Sequence, residues 1–231
     1  MIPAELGKQI EELGREMPGG LAVFDADGTL WREDVGEAFL RHLISLGWVK
    51  LADGSDPYEA YERAVDRDKK TGYAYAAQLL AGLAQKDLDS EAIFFASDWV
   101  PPRIISDTAG LVRLCKAAGL RPFVVSASAR PIVLAAAPLA GFAAADCRGI
   151  ETAVRAGEYT DELIEPVTYA AGKIASAQAA GTLALACGDS LLGDLPMLEA
   201  ARIAVAVAPR AGSPLSAEAH RRAWPVLNQE S

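Results

Sequence analysis

Asp25 and Asp27 stand one residue apart at the end of the apolar run Leu21-Ala22-Val23-Phe24, with Gly28 and Thr29 directly after them. Side chains of an extended strand alternate between faces, so residues i and i+2 leave it on the same side. Both carboxylates therefore face one cleft beyond the strand's carboxyl end, where open α/β sheets hold their ligands. Gly28 allows the chain to turn sharply there. Two acids left without a countercharge would repel, so a divalent cation is the expected third member. With it in place, one acid can attack as a nucleophile while the other moves protons. An ordinary Asp- and Gly-containing turn has the same local composition, so the rest of the chain has to decide.

Three other segments bear on that decision. Ser126 ends the apolar run Pro122-Phe123-Val124-Val125 and is followed by Ala127. Lys173 opens a helix-like stretch in Ala171-Gly172-Lys173-Ile174, where a fixed ammonium could balance an acid and stabilise charge in a water-poor cleft. Leu183 to Cys187 is again an apolar run opening into glycine and acids, Gly188-Asp189 with Asp194 beyond. The donors are hard oxygens, and no cluster of His or Cys accompanies them, which favours magnesium over zinc.

The apolar strand followed by Asp-x-Asp-Gly-Thr resembles motif I of the haloacid dehalogenase superfamily, and the other segments resemble motifs II, III and IV in the family order. The resemblance implies that Asp25 is the nucleophile, forming an aspartyl-phosphate, and that Asp27 is the general acid/base. It implies that the Ser126 hydroxyl, the Ala127 and Gly28 amides and Lys173 bind the phosphoryl group. Asp25, Asp27, Asp189 and Asp194 are its implied Mg2+ site, with Asp194 either acting through water or orienting Lys173. Four residues separate Asp189 from Asp194, where phosphoserine phosphatase-like relatives usually have three before the same Asp-Leu-Pro-Met-Leu string.

The elements that must position these residues follow from periodicity. Residues 33–102 read as helices: Val35, Phe39, Leu43 and Leu46 share a face until Gly47, a second helix runs from Pro57 through Lys70, and a third from Thr71-Gly72 to about Ala84. A fourth is expected to start at Asp89-Ser90, a capping pair, and Pro101-Pro102 closes the block. From Ser106 onward helices alternate with short apolar strands at 121–126, 182–187, 203–208 and 224–227, with Ala156-Gly157 as a hairpin turn. This alternation predicts an α/β fold with a Rossmann-like, doubly wound parallel sheet and an inserted all-helical segment. The expected division is a core of residues 1–32 and 103–231, with residues 33–102 as a helical cap of the C1 type that the resemblance implies.

The chain of 231 residues, with 51% hydrophobic residues, can bury a substantial core. Its formal charge of -9 argues against nucleic-acid and anionic-membrane partners. No signal-peptide pattern or membrane-length apolar run is found, so a cytoplasmic location is expected. Cys115, Cys147 and Cys187 lack metal or disulfide spacing and read as buried thiols. His42 and His220 lie far apart, leaving little for a histidine-based mechanism.

The resemblance, closest to the phosphoserine phosphatase branch, implies hydrolysis of a small-molecule phosphomonoester, with an amino- or ammonium-bearing leaving group such as those of phosphoserine or phosphocholine. Asp27 separates this from dehalogenation, since a halide leaves without a proton. Asp34 lies where the phosphoserine phosphatases carry a Glu that helps recognise the substrate, so the resemblance implies a substrate contact there. Trp31 and the aromatic residues Phe39, Trp48, Tyr58, Tyr61, Tyr73 and Tyr75 could make cation–π contacts or form the cap's own core. Arg63 or Arg67 could bind a substrate carboxylate. A phosphotransferase using an alcohol acceptor, or a non-catalytic module on the same fold, are the alternatives.

Overall fold

A computed structural model describes residues 2–208 and 213–231. Leu21–Phe24 forms β1, whose four residues have no solvent exposure. That is the burial expected of a strand covered on both faces. It pairs in parallel with β2 (Arg121–Ala129), Val23 opposite Phe123, and with β5 (Leu183–Gly188), Val23 opposite Ala186. Beyond β5 lie β6 (Ile203–Ala208) and β7 (Val226–Asn228), both parallel. Beyond β2 lies β3 (Cys147–Arg155), parallel, and then β4 (Glu158–Ile164), antiparallel. The sheet order is β4-β3-β2-β1-β5-β6-β7. β3 and β4 are joined through Ala156 and Gly157, with φ of 52° and 85°. Two consecutive positive φ values are the requirement of a two-residue turn of the primed type.

Helices cover both faces. They are α1 (Ala4–Glu16), α6 (Ser106–Ala117), α7 (Arg130–Ala136), α8 (Ala171–Ala180), α9 (Leu195–Ala200) and α10 (Pro214–Arg221). Alternation along β1 sends Ala22 and Phe24 into the core shared with α1 and α6, through Leu6, Ile10, Leu111 and Cys115. It sends Leu21 and Val23 to the opposite core, against Ala177, Met197, Leu198 and Leu215. All three cysteines are buried and free, and burial pushes the Cys115 and Cys147 thiols up to about 12. Among the described residues no helix is long and apolar enough to cross a membrane.

Between β1 and α6 the chain forms α2 (Val35–Ser45), α3 (Pro57–Arg67), α4 (Lys69–Gln78) and α5 (Gln85–Trp99). Asp34 caps α2 by accepting from the Glu37 amide at 2.8 Å, and Asp56 caps α3 by accepting from the Tyr58 amide at 2.7 Å. The second predicted helix ends three residues early because Asp68 is extended and caps α4, accepting from the amide and hydroxyl of Thr71. α5 starts one turn before the predicted capping pair. Its buried stripe is Leu88, Ala92 and Ala96, and the Leu88 amide already donates to Ala84. Asp89 is thereby freed from capping, and it accepts the Tyr159 hydroxyl of β4 at 2.8 Å instead.

Candidate active site

Asp25 is the first residue past β1, and its amide still donates to the Cys187 carbonyl of β5 at 2.9 Å. That bond sets the nucleophile candidate beside the loop that follows β5. The Lys173 ammonium, from the first turn of α8, lies 2.5 Å from Asp25 Oδ1 and 2.6 Å from Asp194 Oδ1. All three groups are sequestered: Asp25 is 5% exposed, Lys173 3% and Asp194 0%. Asp194 Oδ2 accepts from the amides of Asp189 at 3.1 Å and Ser190 at 2.9 Å. The longer 189–194 loop is therefore folded back onto the carboxylate that closes it. Asp194 both orients Lys173 and pins the turn that carries Asp189.

Asp25, Asp189 and Asp194 each present an oxygen, and these atoms lie within 4.8 Å of one another. Gly28 makes this approach possible. It has a φ of +77°, and a Cβ on it would stand 2.1 Å from Asp189 Oδ2. Only glycine fits both demands.

The electrostatics report crowding. Burial, followed by the nearby Asp194, pushes the Asp25 carboxyl up to about 7, although Lys173 opposes it. Burial and then Asp25 raise Asp189 well above the usual carboxylate range. Burial alone would lower Lys173, but Asp194 and Asp25 outweigh it and its pKa is raised. Three carboxylates around one ammonium leave negative charge uncompensated when all are ionised. A hard, oxygen-seeking divalent cation supplies what that donor set lacks, so the residues present fit such an ion.

Asp27 points elsewhere. Its Oδ1 accepts from the Trp31 indole at 2.8 Å and the Val35 amide at 2.7 Å, and its Oδ2 from the hydroxyls of Ser128 at 2.7 Å and Ser126 at 3.3 Å. Its carboxylate is not one of the three acids that converge. Val35 is the first residue of α2, so Asp27 is tied directly to the inserted helices. Ser126 and Ser128 share a face of β2 by strand alternation, in the stretch where pairing with β3 is irregular, between Val125 and Ala129. Ser126 is wholly buried, its hydroxyl also accepting from the Ser128 amide at 3.0 Å and its carbonyl from the Thr168 hydroxyl at 2.5 Å. Ser128 is a contact that sequence reasoning missed; its i+2 relation to Ser126 was the available signal.

A cavity of about 490 Å3 is lined on the sheet side by Asp25, Asp27, Gly28, Ala127, Ser128, Lys173 and Asp189; Ser126, expected to bind the phosphoryl group, is buried behind this lining with its hydroxyl on Asp27. The inserted helices contribute Asp34, Phe39, Tyr61 and Tyr73. Trp31 is wholly buried and does not reach the cavity, serving Asp27 instead. Arg63 lines a different groove, with Arg67 and Tyr75, and pairs with Glu59 at 3.4 Å. Tyr58 donates to Glu37, and Trp48 is 38% exposed outside the cavity lining.

The family model for haloacid dehalogenase-like hydrolases matches residues 22–199. The chain belongs to this family. No curated protein matches its sequence. Among solved structures, a Bordetella pertussis Tohama I protein of unknown function is 22% identical, with a TM-score of 0.79, covering 92% of this chain and 100% of that one. A phosphoserine phosphohydrolase-like protein from Francisella tularensis is 15% identical, with a TM-score of 0.60, covering 90% and 94%. A probable phosphoserine phosphatase from Vibrio cholerae is 18% identical, with a TM-score of 0.62, covering 90% and 60%. At these identities the likeness is one of fold. The matched span includes Asp25, Asp27, Lys173, Asp189 and Asp194.

Proposed function

We propose that the chain is a Mg2+-dependent phosphatase acting on a small phosphomonoester, with residues 33–102 as a helical cap roofing the cleft. The observation that carries this reading is the buried Asp25-Lys173-Asp194 arrangement facing Asp189 across one cavity. Asp25 attacks phosphorus and the bond to the leaving oxygen breaks, that oxygen taking a proton from Asp27. Asp27 then removes a proton from water, which attacks the aspartyl-phosphate and releases phosphate and free Asp25. Asp25 and Asp189 would hold Mg2+, which when bound stabilises negative charge on the phosphoryl oxygens. Lys173 balances Asp25 and stabilises the same oxygens, and Gly28 and Ala127 line the cavity beside it, although the Gly28 amide donates to the Trp31 carbonyl at 2.9 Å and is not free for the phosphoryl group. The bonds from Ser128 and Ser126 orient Asp27 toward the leaving group. Hydrolysis of an aryl phosphate with and without Mg2+ tests the reading, and equal release of phosphate under both conditions would refute its metal-dependent form.

Metal and proton linkage gives a second check. Asp25 has a folded-state pKa of about 7, above the ordinary carboxylate value of 3.8. Between those values the folded protein binds more protons than the unfolded chain, so the metal-free protein loses stability as pH rises through that window. Above it the loss is complete. Mg2+ binds the ionised acids, so at saturating concentration it should raise Tm by roughly 5–10 °C at about pH 8 and by much less at about pH 5.5. A thermal-shift series in chelator and in Mg2+ reads this directly, and an equal gain at both pH values would count against the metal site.

Ser128→Ala removes the shorter of the two hydroxyl bonds to Asp27 Oδ2. A hydrogen bond to a charged group contributes about 1.5–3 kcal/mol, so kcat should fall roughly 10- to 100-fold with little change in KM. Steady-state kinetics on an aryl phosphate would show it, and an unaltered kcat would remove Ser128 from the positioning of Asp27.

A further inference from the structure

We propose that the leaving group selected by this cavity carries a cationic nitrogen and no carboxylate, making the substrate a phosphorylated amino alcohol rather than phosphoserine; this rests on the phosphatase reading. The cap side of the cavity is acidic and aromatic. Its acids near the start of α2 are Glu33, Asp34 and Glu37, its aromatic residues Phe39, Tyr61 and Tyr73, and Leu40, Ala76 and Leu80 supply aliphatic wall. Among the described residues that line the cavity, Lys173 is the only Lys or Arg, and Asp25 and Asp194 already hold its ammonium.

Among the described residues, the arginines of the inserted helices and Arg103 are engaged elsewhere. Tyr61 and Arg63 are two residues apart on α3, about 200° around the helix. With Tyr61 lining the cavity, Arg63 necessarily faces the outer groove, where Arg67 joins it. Arg41 bonds Glu37 at 3.3 Å and stacks over the Tyr58 ring, and Arg103 pairs with Glu33 at 3.2 Å. Glu33 and Glu37 thus have arginine partners that do not line the cavity.

Asp34 has no such partner. Its Oδ1 takes the Glu37 amide of its own helix, and no cation among the described residues pairs with it. A bound cation would supply the missing countercharge. Asp34, Tyr61 and Tyr73 all line this one cavity. Tyr73 meets the Tyr169 ring at 5.6 Å, which widens the aromatic wall. Aromatic faces with a carboxylate receive primary and quaternary ammonium groups, whereas a substrate carboxylate there would oppose Asp34 without a partner.

The test compares kcat/KM, in Mg2+, for phosphoethanolamine, phosphocholine, phosphoserine and glycerol phosphate, with an aryl phosphate as control. Phosphoserine and phosphoethanolamine differ only by the carboxylate, and the two amino alcohol esters separate primary from quaternary nitrogen. At least one amino alcohol ester should exceed phosphoserine by about 100-fold. Asp34→Asn keeps a good helix cap, so the fold should survive, and it should cut the ratio of amino alcohol to glycerol phosphate turnover by about 10-fold. Aryl phosphate hydrolysis with phosphoserine equal or preferred, or an unchanged ratio in the Asp34→Asn protein, overturns this inference alone. Absence of aryl phosphate hydrolysis in the wild type overturns the phosphatase reading and this inference with it.

Discussion

Asp25→Asn should lower phosphate release by roughly 10^4-fold or more without unfolding the protein. The amide is nearly isosteric with the carboxylate and can still accept a hydrogen bond from Lys173, 2.5 Å from Asp25 Oδ1, but it cannot form an acyl-phosphate. Stability should move the other way. Burial and Asp194 hold the Asp25 carboxyl up to about 7, so at about pH 8 the wild-type protein carries a charge its surroundings resist. In chelator at that pH, the variant should melt at or above the wild-type temperature, as expected where function is built from a strained electrostatic site. Phosphate release and thermal melting on one preparation check both halves. Near-normal turnover in the pure variant would remove Asp25 as nucleophile.

Strand and helix identities came from patterns that local physics controls. The fully apolar runs Leu21–Phe24 and Leu183–Cys187 could be read as central strands because burial on both faces leaves no polar alternation to confuse. Ala156-Gly157 was legible as a turn because two positive φ values have few other uses. Boundaries inside the helical insertion were less legible, since they depend on partners distant in sequence. Asp89 looked like a cap until Tyr159, seventy residues away, supplied its hydrogen bond. Asp68 could have been surface charge or a junction, and only its extended backbone made it the latter.

The site divides in the same way. Asp25, Lys173, Asp189 and Asp194 meet because the family spacing and the sheet order bring the carboxyl ends of β1 and β5 together with the start of α8. The direction in which each side chain turns was not in the spacing. Asp27 leaves the strand end near Asp25, but the Val35 amide and the Ser128 hydroxyl draw it toward α2 and β2. Trp31 seemed available to a ligand by type, yet its indole is the donor that completes Asp27's hydrogen bonds. Arg63 seemed available by charge, yet helix phase turns it away from the cavity that Tyr61 enters.

Lys173→Met should be the most destabilising single change in the site. Lys173 is nearly inaccessible and its ammonium touches Asp25 and Asp194 together, so its loss leaves two buried acids facing Asp189 with no positive charge among them. Breaking a buried ion pair by removing one partner costs about 3–5 kcal/mol, which for a chain of this length is roughly a 10 °C fall in Tm. The sign with pH follows from the same carboxyls. Without the ammonium that opposes burial, Asp25 should titrate still further above its ordinary value, so the deficit should widen as pH rises past about 7 and narrow at about pH 5.5, where protonation removes the repulsion. Lys173→Arg restores charge but brings a planar fork into a slot shaped for a compact ammonium, so it should recover only part of the stability. Turnover of the Met variant should also fall by about 10^2- to 10^3-fold, since the transferring oxygens lose a fixed positive charge. Melting curves of the three proteins in chelator at both pH values distinguish this electrostatic role from simple packing. A methionine variant with a deficit that ignores pH would mean that Lys173 acts there as an apolar spacer, and the charge balance assigned to the cleft would fail.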